Sequence, residues 1–409
     1  MAASPSAPAV VPVPGRIPPV LFNVCFVLCI VNVAFFPSAW RSDIWIWDKA
    51  GLGIPTDFVN VWAAGKLVLE GHPALAYDWD IQRTIELALL KQDFSGYFAW
   101  HYPPPFLFVA GFLAQFPYTV AFIGWVATSF VPYLAVMRAI VGRAAIGLML
   151  AVGFPMVVSN GLVGQNGFLT ASLVGGTLLL LPTRPVLSGI CLGLLTYKPQ
   201  YGLLFPIVLI ATAEWTVFFS AAATAVALAF VSWLAFGTES WLAFFHWMPR
   251  FSQAFLVEGK ATWWKLQSLF SMVRYLGGSE QLAWAFQWIL TAAVATTLVA
   301  MWRSKARYSL KAAALAAGTL LTTPYLFMYD MMVLAIPVAF LIRSGLARGF
   351  LPYELPMLGV ALAAMMSFMF LGQPVGLATT LIIGGLILRR AGRWWRRVEP
   401  APVVAPAPV

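Results

Sequence analysis

Apolar residues come in blocks of about 15–23 along most of this chain, with short polar turns between them. Blocks of that size match the roughly 20 residues a helix needs to cross about 30 Å of hydrocarbon. Lipid offers no partner for backbone N–H and C=O groups, and no ten-residue alternation marks a barrel, so the pattern predicts an all-α polytopic membrane protein. The expected spans are 18–37, 119–137, 144–160, 167–181, 186–198, 199–213, 215–236, 281–302, 310–323, 330–343, 354–371 and 374–389, a bundle of about twelve. The first follows Arg16 without a small-residue cleavage site and reads as a retained helix, not a signal peptide.

Two long polar interruptions, 38–102 and 237–280, break the series. Segment 103–116, "PPPFLFVAGFLAQF", is short for a crossing and is expected to dip into the membrane and return. If it crossed instead, 186–213 would be one kinked helix and Arg138, Arg143 and Arg184 would lie outside, against the charge pattern. Within the first interruption, 58–70 ("FVNVWAAGKLVLE") and 79–92 ("WDIQRTIELALLKQ", apolar at Ile81, Ile85 and Leu89) are expected as amphipathic helices lying flat at the interface, Trp and Leu toward lipid. The Trp-rich runs "WLAFFHWMPRF" and "ATWWKLQSLF" of the second interruption are expected in an aromatic belt.

Composition agrees: 61% of residues are hydrophobic and 10% charged, far below the roughly 25% charge of a soluble protein. A net charge of +10 raises nucleic acid as a partner, but nine basic residues fall in two clusters at helix ends, 303–311 and 389–397. That is the positive-inside pattern with an attraction for anionic lipid, so membrane lipids are expected as partners and nucleic acid is not. Eleven of the fifteen acids lie in the two interruptions, which puts both on the extracytoplasmic face and the termini in the cytoplasm. Three cysteines inside apolar blocks and three scattered histidines give no disulfide framework and no metal site, and no cofactor is expected. Residues 1–17 and the Pro/Ala-rich end of 390–409 are expected to be disordered tails around a single transmembrane domain, 18–389.

Against this background a few polar residues stand out. Asp57, in "TDF" before a helical run, reads either as a helix N-cap or as a general base. Lys198, in "LLTYKPQYGLLF", is a cation in an apolar block beside a proline break, a setting for an anion such as phosphate; snorkelling to the interface is the alternative. Asp330, in "LLTTPYLFMYDMMVL", is costly inside its block and needs a partner, with Lys198 one candidate. "NGLVGQNGF" offers the amides of Asn160, Gln165 and Asn166 to sugar hydroxyls. Tyr102, Gln200 and Tyr329 complete the candidate substrate-binding set, while His101 reads as a surface histidine. The chain has no P-loop, GxGxxG, HExxH or GxSxG, and no soluble domain for a nucleotide-sugar donor, so a donor carried on lipid is the natural partner for a buried cation.

The ordered set "TDFVNVWAAGKLVLEGHPALAYD", "HYPPPF", "GQNGFLTASLVGGTLLLL", "RPVLSGICLGLLTYKPQYGLL" and "TPYLFMYDMMVL" resembles glycosyltransferase family 87 over about 20–345. The resemblance implies a GT-C-like bundle and an enzyme of the bacterial plasma membrane that moves mannose or another hexose from a polyprenyl-phosphate donor to a glycolipid or glycan acceptor. It implies Asp57 as catalytic base and Lys198 as the contact to the donor phosphate, with no metal required. Mannosyltransferases of the family carry a histidine in the late proline motif, where this chain reads "PYLFMYD", which leaves the sugar open. A transporter would show an internal repeat, and none is visible. A lipid-organising protein would account for amphipathic helices but not for Asp57, Lys198 and Asp330 together.

Overall fold

The computed structural model describes residues 17–260 and 262–395. Of the expected tails, 1–16 and 396–409 lie outside that range, while 390–395 continue the last helix. Helix α1 (Pro19–Arg41) leads into the first interruption, which holds α2 (Phe58–Leu69) and α3 (Trp79–Leu90); α4 (Leu107–Leu113) follows it, after the triple proline. Next come α5 (Tyr118–Val141) and five short helices: α6 (Ala144–Val152), α7 (Met156–Val163), α8 (Gly167–Leu180), α9 (Pro185–Leu194) and α10 (Leu204–Ala211). The long α11 (Trp215–Ser252) is followed by α12 (Leu269–Tyr275), α13 (Glu280–Arg303), α14 (Tyr308–Thr322), α15 (Ala335–Arg348), α16 (Glu354–Leu371) and α17 (Gly376–Trp395).

Five stretches are long and apolar enough to cross a membrane, at 19–41, 118–141, 215–257, 280–303 and 328–348, and the pair α6–α7, bent by 57°, makes a sixth. The chain is a helical membrane protein. Length alone does not reach the expected twelve crossings, because several apolar blocks are divided. Pro155 separates α6 from α7, and Gly164, at φ 66°, ends α7 before α8 begins at Gly167. The block 186–213 is broken by 3-10 turns at 195–197 and 199–201, on either side of Lys198, because proline removes a donor and restricts the residue before it. Such breaks are tolerated at membrane depth only where protein satisfies the freed groups. Segment 328–348 is the protein's centre: 83% of its apolar window is buried, against 11% for 215–257.

Three expectations need correction. The region 237–280 does not open as a loop: α11 bends at Gly237 (φ 74°, ψ 172°) and continues to Ser252. Helix α2 does not lie flat with one face in lipid, because eight of its twelve residues are buried. Helix α3 turns its polar Gln82 and Glu86 inward, and Gln82 Nε2 donates to the Asn60 carbonyl (2.7 Å), so it docks on α2 through polar groups. The stretch Pro104–Leu113 is too short to cross. It packs antiparallel to α2: Trp62 Nε1 donates to Phe116 O (3.1 Å), and Gly65 meets Ala110.

Arginines gather where helices end. Arg343 Nη1 donates to Ile140 O (3.0 Å), joining α15 to α5. Arg390 of α17 makes a buried two-pronged pair with Glu354 of α16 and donates to the carbonyls of Ser344 and Gly349, drawing three helix ends together.

The α2–α4 contact is close enough to be tested. A Cβ on Gly65 would sit 2.0 Å from Ala110 O and 2.7 Å from Ala114 Cβ, so the helices would have to separate. Gly65→Ala is expected to cost about 1–3 kcal/mol and to lower the unfolding temperature in detergent. Gly124→Ala, where a Cβ meets nothing within 4 Å, should leave it unchanged.

Candidate active site

A cavity of about 310 Å³ opens between the start of α2, the 95–101 segment, the end of α11 and the 325–329 segment. That is within the roughly 300–1,000 Å³ usual for small-molecule sites. Asp57 stands on its wall. Its backbone is already helical (φ −60°, ψ −25°) and its side chain bonds no amide of α2, so the carboxylate is not acting as a cap. It is hydrogen-bonded by the Gln165 side chain. Gln165 Oε1 accepts the Asn166 N–H (3.2 Å), which leaves its NH₂ group to donate to Asp57. Burial pushes the Asp57 carboxyl above the usual carboxylate range; the Gln165 bond, Lys198 and Lys265 pull it back, and Asp330 pushes it further up. A carboxylate held this way is a stronger base than one in water.

Two lysines reach the cavity from the second interruption. Leu266 pairs with Phe327 as an isolated bridge, Gln267 N–H donates to Leu326 O (2.7 Å), and Ser268 Oγ donates to Pro324 O (2.7 Å). These bonds pin the loop to the segment carrying Tyr325, Phe327 and Tyr329, and they bring Lys265 to the cavity wall. The Lys265 side chain is exposed and lies 5.6 Å from the Trp264 ring centre. Lys260, also on the wall, meets Glu258 at 3.2 Å, an exposed pair that solvent screens.

Lys198 is placed differently. Its Nζ lies 2.6 Å from Asp330 Oδ1 and 5.6 Å from the Tyr329 ring centre, and both charged side chains are buried. Asp330 Oδ2 accepts the Phe327 N–H (3.2 Å). The pair lies off the cavity wall, with Tyr329 on it. Tyr102 and Asn166 bond each other (Nδ2 to OH, 2.7 Å) away from the wall, and Gln200 is half-buried elsewhere. Of the substrate-binding candidates, Gln165 and Tyr329 line the cavity; Tyr102, Asn166, Gln200 and Asp330 do not.

Several wall residues carried no signal in the sequence. His101 is not a surface histidine: it lines the cavity, sandwiched between Phe251 (4.5 Å, 20°) and Tyr102 (4.4 Å, 30°). Burial lowers its pKa to about 4, and Nδ1 lies 3.0 Å from Ala99 O, so a neutral ring donates there. Asn60 Oδ1 and Trp79 Nε1 are buried wall atoms without a hydrogen-bond partner. Groups left so are costly unless water or a ligand completes them. Among the described residues, no group of three or more His, Cys, Asp or Glu side chains is placed to hold a metal ion.

The family model of Glycosyltransferase family 87 matches residues 100–324, more than half of the 409-residue chain. The chain belongs to glycosyltransferase family 87. No curated protein and no solved structure matches it. This family 87 membrane glycosyltransferase holds His101, Gln165, Lys198, Lys260 and Lys265 within the matched stretch, while Asp57 and Tyr325–Asp330 lie on either side of it. The fold brings members of all three parts to one cavity, with Lys198 and Asp330 off its wall.

Behind the Asp57 wall, the glycosyltransferase buries a second acid. Burial pushes the Glu86 carboxyl up to about 9, with the Asp57 charge acting in the same direction, despite Arg83 and the Phe98 backbone amide. Folded Glu86 therefore keeps its proton while the unfolded chain loses it near 4.5. Between those values the unfolded state binds fewer protons, so stability is greatest at the acid end and falls as pH rises. Unfolding temperatures across that window should decline for wild type and decline less for Glu86→Gln.

The ion pair yields a second test. Lys198→Met strands a buried carboxylate and should cost about 3–5 kcal/mol, whereas Lys198→Met with Asp330→Leu should recover most of the loss. Equal unfolding temperatures for wild type and the single variant would show that the pair carries no stability.

Proposed function

We propose that the protein is an inverting glycosyltransferase with a single GT-C-like transmembrane domain over 18–389. It transfers mannose or another hexose from a polyprenyl-phosphate donor to a hydroxyl of a glycolipid or glycan acceptor, on the extracytoplasmic side of a bacterial plasma membrane. The observation that carries this reading is the cavity itself: a carboxylate of raised basicity, two lysines on the wall, and unpartnered polar atoms set among aromatic rings. Asn60 Oδ1 and Trp79 Nε1 supply one acceptor and one donor for sugar hydroxyls, and the faces of Phe327 and Tyr329 suit the apolar C–H face of a hexose.

In this mechanism Asp57 accepts the proton of the acceptor hydroxyl as its oxygen bonds to the anomeric carbon. The bond from that carbon to the phosphate oxygen breaks from the opposite side, and the electron pair leaves with the polyprenyl phosphate. Charge on the leaving group grows toward the transition state, where Lys265 and Lys260 stabilise it. The resemblance implied Lys198 for that task. Its bond to Asp330 instead supports a positioning role, holding the Tyr329 segment of the wall.

Purified protein incubated with a panel of synthetic polyprenyl-phosphate sugars, with products read by mass spectrometry, tests the reading. Asp57→Asn should lower turnover by about 10²–10⁴-fold with donor binding retained. Lys265→Met should raise the donor KM. It also removes a cation that favours ionised Asp57, so the acid limb of kcat/KM should move to higher pH. Full turnover by Asp57→Asn would eliminate this residue as the base.

A further inference from the structure

The turn that carries the first basic cluster (303–311) and the helix that carries the second (389–397) border one cleft, to which the first cluster gives its one basic wall residue, Lys305, and the second gives only Ala391. Helix α14 packs against both α13 and α17, so the turn after α13 lies beside the second half of α17. Between them is a cavity of about 260 Å³ lined by Thr297, Met301, Ser304, Lys305, Ala306, Leu388 and Ala391. One part is apolar, formed by Met301, Leu388 and Ala391. The other is the turn itself, with Lys305 on the wall and Arg303 two residues before it, beyond the lining. Both side chains are exposed, and neither is in an ion pair among the described residues. Glu354, the acid of the adjoining α16, is occupied by Arg390, so it does not neutralise them. The cleft is also far from the catalytic cavity. Gln287 of α13 bonds the Phe270 N–H beside the 265–268 segment, and Arg303 lies sixteen residues on, about 24 Å along the helix.

We propose that this cleft binds an anionic glycerophospholipid, its phosphate held by Lys305 and Arg303 and an acyl chain lying along Met301, Leu388 and Ala391. The charge of the rim selects the occupant: a zwitterionic lipid would meet two cations with no net charge to offset them, and a neutral one would gain nothing from them. The apolar wall separates a lipid from a free anion, because inorganic phosphate would leave it empty. The proposal is independent of the donor and acceptor assigned above.

The test uses the full-length protein, delipidated in mild detergent and titrated with phosphatidylglycerol, phosphatidylcholine or inorganic phosphate, with retained lipid counted by native mass spectrometry. Phosphatidylglycerol should be retained in preference to phosphatidylcholine. Lys305→Gln and Arg303→Gln should each weaken retention by about fivefold, and Lys305→Arg should preserve it. Both positions are exposed, so the lipid-free variants should unfold at the wild-type temperature. Equal retention of the two lipids, or undiminished phosphatidylglycerol retention by Lys305→Gln, overturns the proposal. Displacement of the lipid by inorganic phosphate at matched concentration overturns it in favour of a simple anion site.

Discussion

An ammonium and a carboxylate survive in the apolar interior only because each cancels the other. Removing either ion from water costs several kcal/mol, and the contact of Lys198 with Asp330 at 2.6 Å offsets much of that. Each partner also sits at a break in the helical pattern. Lys198 lies between two 3-10 turns that separate α9 from α10, and Asp330 lies in the 3-10 segment between α14 and α15. Asp330 spends its second oxygen on the Phe327 amide, one of the groups such a break frees. Asn160 Nδ2 donates to Tyr329 O (2.9 Å) from α7, so the short segment bearing Tyr329 is held from two sides. The irregular backbone that membrane interiors normally exclude is stabilised here by one ion pair and one amide.

From that anchor the cavity follows. The 325–329 segment holds the second loop through the Leu266–Phe327 bridge and the Gln267 and Ser268 bonds, and that loop carries Lys265. Opposite, Phe251 at the end of α11 stacks on His101, and Trp247 stacks on Trp79 (5.8 Å, 27°). The bend at Gly237 lets one helix be lipid-facing below and cavity wall above. Aromatic stacking, which needs only a flat partner, joins elements whose backbones do not hydrogen-bond.

How much of this could be read in the chain depended on how many solutions each stretch allowed. The apolar runs at 18–37, 119–137 and 281–302 have one, and they appear as α1, α5 and α13 with ends shifted by a few residues, α5 carrying Pro132 inside it. Other blocks holding proline or glycine have several, and hydrophobicity alone did not reveal which of them break into short helices. Helix α2 misled for a related reason: an apolar face reads the same whether it meets lipid or protein, and only tertiary packing buries Ala63 and Gly65. In the site, Asp57, Gln165 and Tyr329 were legible because polar groups among apolar ones are expensive and demand a reason. Lys260, Lys265, Asn60 and Trp79 sit in polar loops or an amphipathic helix, where such residues are cheap. Nothing local distinguished them from solvated surface, and the pairing of Lys198 with a residue far along the chain absorbed the charge that the sequence offered to phosphate.

That separation has a consequence for biogenesis. Lys198 and its counter-ion are 132 positions apart, so at roughly 5–20 residues per second a ribosome reaches Asp330 about 7–26 s after making the lysine. Throughout that interval the ammonium has no carboxylate to meet. The α9–α10 break must therefore stay hydrated, or sheltered by the insertion machinery, until the last third of the chain arrives. The centre of the bundle is consequently among the last parts to close, and a nascent chain stalled before Asp330 would hold a lone cation that the membrane interior rejects.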